Sequence, residues 1–177
     1  MTLIRPEPRG LIQPQPLKVA GLWTGAIRRD GVIIDEWEQP NLVVNEGLDA
    51  LLNIMFHGST QIGTWYIGVF EGNYTPVATV TAATITAAST ESTAYDESAR
   101  VAYNEAAASA QAITNSANRA TFTFNATKTI YGAFLVSASA KSATTGTLFS
   151  AARFATSKAV VDDDELLLTY SFTAASA

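Results

Sequence analysis

The chain has 177 residues, 47% hydrophobic and 15% charged, with a net charge of −5, no cysteine and one histidine. Its length lets about 70% of the unfolded chain's surface be buried, enough for one core. The lack of cysteine removes disulfide frameworks, thiolate metal sites and cysteine nucleophiles, and one histidine leaves no His-rich metal centre.

Charge this far below the roughly 25% of ordinary soluble domains leaves much Ala, Ser and Thr surface, suited to packing against partners. Met1 to Pro16 holds four of the six prolines and no continuous apolar core, so a secretory signal peptide is not expected. No run of about 18 apolar residues exists, so a membrane span is not expected and a cytoplasmic site of synthesis is. Prolines lack an amide donor and push their predecessors toward extended geometry, so residues 1–17 read as a polyproline-like or irregular arm ahead of a single domain over 18–177.

Up to Arg29 the chain carries Arg5, Arg9, Lys18, Arg28 and Arg29 against Glu7, a balance of +4 that leaves −9 on the remainder. A basic arm on an acidic body can lie across an acidic neighbour or an identical copy, and Arg5, Pro6, Pro8, Arg9, Pro14, Pro16 and Lys18 are its candidate partner-binding residues. Nucleic acid is not an expected partner, because these cations are scattered among prolines and the body repels phosphate.

Val19 to Arg28 and Val32 to Trp37 read as a hairpin turned at Asp30-Gly31, where both positions accept positive φ. Pro40 ends the second strand. Glu46 to Phe56 reads as an amphipathic helix with Asn45 as N-cap, acidic residues in the first turn and Gly58 as terminator. Leu48, Leu51, Leu52, Met55 and Phe56 fall at i, i+3, i+4, i+7 and i+8, the spacing of one buried stripe. Thr64 to Phe70 is a strand by its aromatic and β-branched content, and Gly68 within it implies close backbone approach.

The Ala/Thr-rich stretch Val77 to Ser92 reads as extended, either strand or irregular connection. Tyr95 to Ala112 reads as loop and strand, since no apolar stripe forms there. Strands follow at Ala120 to Asn125, Ile130 to Ala138, Leu148 to Phe154 and Leu166 to Phe172, the last with Leu166, Leu168, Tyr170 and Phe172 on one face. The expected fold class is mainly β: an antiparallel β sandwich or barrel with one amphipathic α-helix and an extended N-terminal arm.

No chemistry-bearing constellation emerges. His57, just before Gly58, reads as a helix C-terminal residue. There is no Gly-x-Ser-x-Gly elbow, P-loop or dinucleotide fingerprint. Asp162-Asp163-Asp164-Glu165 lacks the alternating spacing of a calcium loop and reads as a solvated turn. Asp35 with Glu36, and Asp96 with Glu97, are adjacent and so point to opposite faces of a strand. Trp23, Trp37, Trp65, Tyr66 and Tyr74 are expected to fill the core and its rim, with a sugar-stacking platform as the alternative. Catalytic, cofactor and metal sites are therefore all expected to be absent.

The segment Asn41-Leu42-Val43-Val44-Asn45-Glu46-Gly47-Leu48-Asp49, then Leu51-Leu52, then Thr64-Trp65-Tyr66-Ile67-Gly68, resembles small structural proteins of tailed bacteriophages and prophages. Residues 93–97, 120–127, 132–137, 146–148 and 164–173 are similar to the same family in order, so the resemblance runs from about Asp35 to the C-terminus. It implies a non-enzymatic virion component. Small size, an arm and the absence of fibre heptads favour a capsid decoration or cement protein that contacts the major capsid protein or neighbouring copies of itself. A neck, collar or tail protein is the alternative, and a carbohydrate-binding or host-adhesion module the second.

Overall fold

The computed structural model describes residues 17–176. The arm residues Arg5, Pro6, Pro8, Arg9, Pro14 and Pro16 lie outside the described residues, and Lys18 is the first candidate within them. Ten strands and two helices follow: β1 Leu17–Arg29, β2 Val32–Pro40, β3 Leu42–Val43, α1 Asn45–Phe56, β4 Trp65–Phe70, α2 Ala82–Ser89, β5 Val101–Tyr103, β6 Ala112–Thr114, β7 Ala120–Thr123, β8 Lys128–Val136, β9 Leu148–Val160 and β10 Glu165–Ser176. They form two antiparallel sheets packed as a sandwich. One runs β2-β1-β10-β6 with β7 also on β10, and the other runs β3-β9-β8-β4-β5.

The predicted β1–β2 hairpin turns at Asp30 (φ 49°) and Gly31 (φ 78°), both in the left-handed region that suits strand twist. Between the sheets lies the main core, where Trp23 and Ile27 meet Phe122, Phe124, Phe154, Leu166, Leu168 and Tyr170. The predicted core face of β10 is present, with Leu166, Leu168 and Tyr170 buried and Phe172 packed at its edge, but Leu167 and Thr169 between them are buried too. Gly68 has its expected role too, since a Cβ there would overlap the Phe134 ring. On one flank the sheets are bridged by side chains, with Lys158 Nζ on Asp35 at 2.8 Å and the Ala155 amide donating to Gln39 Oε1 at 2.7 Å.

β6 and β7 pair with successive stretches of one edge of β10, residues 171–173 and 165–168. Asn115 fills the gap between them. Its Nδ2 donates to the Leu168 carbonyl at 3.2 Å and its Oδ1 accepts the Tyr170 amide at 2.8 Å, so a buried side chain replaces the missing ladder bonds.

Three expectations are corrected. Val77 to Ser92 contains a second helix, α2, whose Ala82, Ile85, Thr86 and Ser89 are buried at i, i+3, i+4 and i+7. With Val80, Phe70, Phe134, Val136 and Leu148 it forms a second cluster on the outer face of the β3–β5 sheet, which is why β8 is apolar on both faces. Asn45 is the first residue of α1 and not its cap, a position held by Val44 without a side-chain bond. The α1 stripe is also rotated. Gly47 is buried against the Phe149 backbone, where a Cβ would overlap the carbonyl, and Leu51 and Ile54 are half-buried. Leu52, Met55 and Phe56 are 53%, 67% and 80% exposed.

Candidate interaction surface

The inward row of β10 continues past the main core as Phe172 and Ala174, paired with Gly21 and Val19 of β1, and Phe172 also pairs with Ile113 of β6. This sheet therefore overhangs its partner at one end. Opposite the overhang stands α1 with Leu51, Ile54 and Met55, and the floor is formed by Trp65, Tyr103 and Phe149. Between them is an open cleft of about 570 Å³.

The cleft is aromatic and nearly uncharged. Trp65 meets Phe149 edge-on at 5.5 Å between ring centres, Phe149 meets Phe172 at 5.1 Å, and Tyr103 meets Tyr170 at 5.9 Å. Burial pushes the Tyr170 phenol up to about 12 and raises that of Tyr103 as well, so both are neutral at physiological pH. Tyr103 donates its hydroxyl to the Tyr170 carbonyl at 3.1 Å, and Asn41 Nδ2 donates to the Tyr170 hydroxyl at 2.9 Å. Their polar ends are thus occupied by the protein. Among the described residues, Glu105 is the one charged residue in the lining.

Around the rim the exposed side chains of Met55, Leu52 and Phe56 extend the apolar surface over the solvent face of α1. Sequence reasoning found these residues but assigned them to the core. The lining itself was missed, because it is drawn from α1, β4, β5, β6, β8, β9 and β10, and no local pattern joins them.

The remaining predicted groups serve the fold. His57 stands at the end of α1, exposed, with its amide on the Asn53 carbonyl at 3.1 Å, and Gly58 terminates the helix at φ 73°. In the acidic run Asp162 and Asp163 are exposed as expected, whereas Asp164 is buried. It accepts from Arg29 at 2.7 and 2.6 Å and from the Val161 amide at 2.8 Å, and Glu165 pairs with Arg28. The Arg29 hydrogen bonds hold Asp164 below its ordinary value, and Arg28 does the same for Glu165. Two of the five cations counted toward a basic arm are therefore neutralised within the body, while Lys18 is exposed on β1. Of the five aromatics considered for a sugar platform, Trp23 is fully buried against Tyr170, Trp37 packs on Phe154, and Trp65 lies in the cleft.

A polar hollow on the other side of α1 includes Glu46, Asp49, Asn53 and Thr81. Glu46 is committed there to structure: its Oε2 accepts the amides of Ala82 and Leu148, both at 2.8 Å, tying the start of α2 to β9. Among the described residues no group of three or more His, Cys, Asp or Glu side chains is arranged to hold a metal ion. No protein-family model matches the chain, and no curated protein matches it in sequence.

Proposed function

We propose that this protein is a non-enzymatic structural component of a tailed-phage virion, acting as a capsid decoration or cement protein. Its partners are the major capsid protein and neighbouring copies of itself. The observation that carries the reading is the apolar surface of α1, where Leu52, Met55 and Phe56 stand in solvent beside the aromatic cleft. Exposed apolar side chains grouped around a cleft mark a protein-contact surface. The low charge of the body adds to this, since interface centres are depleted of charge. The resemblance of residues 41–68 and of the later strands to small phage structural proteins supplies the biological setting.

Such binding requires no reaction centre. A patch joined by flanking loops needs to bury about 1,200 to 2,000 Å² to form a specific interface. Repetition over a symmetric shell multiplies the strength of each contact.

The test is the copy number of the protein in purified phage particles, measured by quantitative mass spectrometry against the major capsid protein. Decoration predicts at least one copy for every few capsid subunits, and Phe56→Asp with Met55→Asp should reduce occupancy at least tenfold. A handful of copies would move the protein to the neck or tail. Absence from the particle would overturn the virion reading.

A further inference from the structure

The N-terminal sequence contains one motif twice. Leu3-Ile4-Arg5-Pro6-Glu7-Pro8 and Leu11-Ile12-Gln13-Pro14-Gln15-Pro16 are the same Leu-Ile-x-Pro-x-Pro pattern, eight residues apart. An apolar pair followed by alternating prolines loses little entropy on binding, and proline-rich segments are recognised by grooves lined with aromatic rings. The aromatic cleft is such a groove, of a volume within the range of specific ligand sites. Its location bears on the same point. Leu17, the first described residue, pairs with Ser176, and the cleft is lined by Phe172 and Ala174 on that same end of β10.

We propose that the cleft of each molecule receives the second of these segments, Leu11 to Pro16, from the N-terminal arm of a second copy. Leucine and isoleucine enter between Ile113, Ile54 and Trp65, and the proline rings lie against Phe172 and Met55. Arg9, two residues before Leu11, meets Glu105, the charged residue of the rim. The charge balance supports the pairing: residues 17–176 carry nine Lys and Arg against fifteen Asp and Glu, a net −6, and residues 1–16 carry +1.

The occupant belongs to a neighbour because of the spacer. Gln13-Pro14-Gln15-Pro16 immediately precedes β1 in sequence and has no glycine, and its two prolines disfavour the sharp reversal that would return Leu11-Ile12 to the same molecule's cleft. Gly10, the residue best able to reverse the chain, lies on the far side of Leu11-Ile12 from β1, so a turn there does not bring that pair back to its own cleft. An arm that fits the cleft of the next copy makes a head-to-tail contact, which propagates into rings or chains instead of stopping at a dimer.

The experiment uses the purified full chain, so its failure is separable from that of the virion reading, which is tested on particles. Sedimentation velocity over a hundredfold concentration range should show species that grow past the dimer. Two variants should each weaken self-association at least tenfold: an arm variant with Asp at Leu3, Ile4, Leu11 and Ile12, and a cleft variant, Met55→Asp. Mixed in equal amounts they should form a heterodimer and nothing larger, because one keeps a sound cleft and the other a sound arm. That restoration excludes misfolding as the cause of the losses. A wild-type chain that stays monomeric throughout, an arm variant that associates like wild type, or a mixture that fails to pair would overturn the proposal. A monomer whose tryptophan emission changes with the arm substitutions would overturn it in favour of the molecule's own arm filling the cleft.

Discussion

Asn115 and Arg100 each bond backbone groups at points where no ladder bond reaches them. Asn115 is wholly buried and completes the pairing of β10 across the break between β6 and β7. Replacing it with Ala orphans the Leu168 carbonyl and the Tyr170 amide, at about 1–3 kcal/mol for each buried group left unpaired. Urea denaturation of Asn115→Ala should show that loss, with the slope against denaturant unchanged. Arg100 makes a fully buried pair with Glu91, donating at 2.8 Å from both Nε and Nη2, and it also reaches the carbonyls of Ala138 and Ala143. Removing one partner of a buried pair costs about 3–5 kcal/mol, so Arg100→Ala should unfold much of the population at 37 °C by circular dichroism. The pairs whose arginines reach solvent behave differently. Asp164 and Glu165 are held below their ordinary values of 3.8 and 4.5 by Arg29 and Arg28. A lowered carboxylate stabilises the fold above its unfolded-state value and ceases to do so as pH falls through the folded one. The melting temperature should therefore be flat from pH 7 to about 5 and drop below about 4, and the drop should shrink in Asp164→Asn with Glu165→Gln.

The two helices show what a one-dimensional pattern conveys and where it stops. The hairpin at Asp30-Gly31, the α1 segment, the aromatic strand β4 and the core face of β10 were all legible, because turn chemistry and periodicity are local. The rotation of α1 was not. Its leucine-rich stripe competes with Gly47, and the glycine prevails because only a residue without Cβ lets the helix rest on the Phe149 backbone. Helix α2 was hidden for a related reason: its buried positions are Ala82, Ile85, Thr86 and Ser89, three of them small, so hydrophobicity gives little sign of a buried face. Its start is fixed from elsewhere, by Glu46 on the Ala82 amide, and by Thr84 Oγ1 accepting the Thr81 amide at 3.1 Å. These assignments lead to opposite expectations for two substitutions on one helix. Gly47→Ala forces a side chain into the Phe149 carbonyl and should cost about 1–3 kcal/mol. Phe56→Asp, at a side chain 80% exposed, should stay within about 0.5 kcal/mol of wild type. Thermal denaturation of both decides which face of α1 is buried, and equal losses would contradict the rotated stripe.

At the scale of the whole molecule, the sheets are built from pairings remote in sequence. β1 pairs along nearly its full length with β10, from Leu17↔Ser176 to Arg28↔Glu165, so the central ladder of one sheet joins opposite ends of the described chain. The cleft inherits that remoteness. Its walls come from residues 50–65, 103–113, 135–149 and 170–174, and no sequence window contains two of its walls in register. The proline-rich arm, by contrast, lies in one short stretch, which is why it could be singled out from sequence while the cleft could not. The same topology governs folding. Chain entropy must be lost over some 150 residues before the β1–β10 ladder returns any stabilisation, and sandwiches of this kind fold on the order of milliseconds to seconds. Trp23 reports this step directly, because it is fully buried only when β1 lies on β10, with its ring 4.6 Å from Tyr170. Stopped-flow tryptophan fluorescence should accordingly show a slow main phase. Leu168→Ala, which thins the ladder at Gly25, should slow that phase more than Ile85→Ala beneath α2, where the contacts are formed by segments closer in sequence. A larger effect at Ile85 would mean that the α2 layer, and not closure of the chain ends, limits folding.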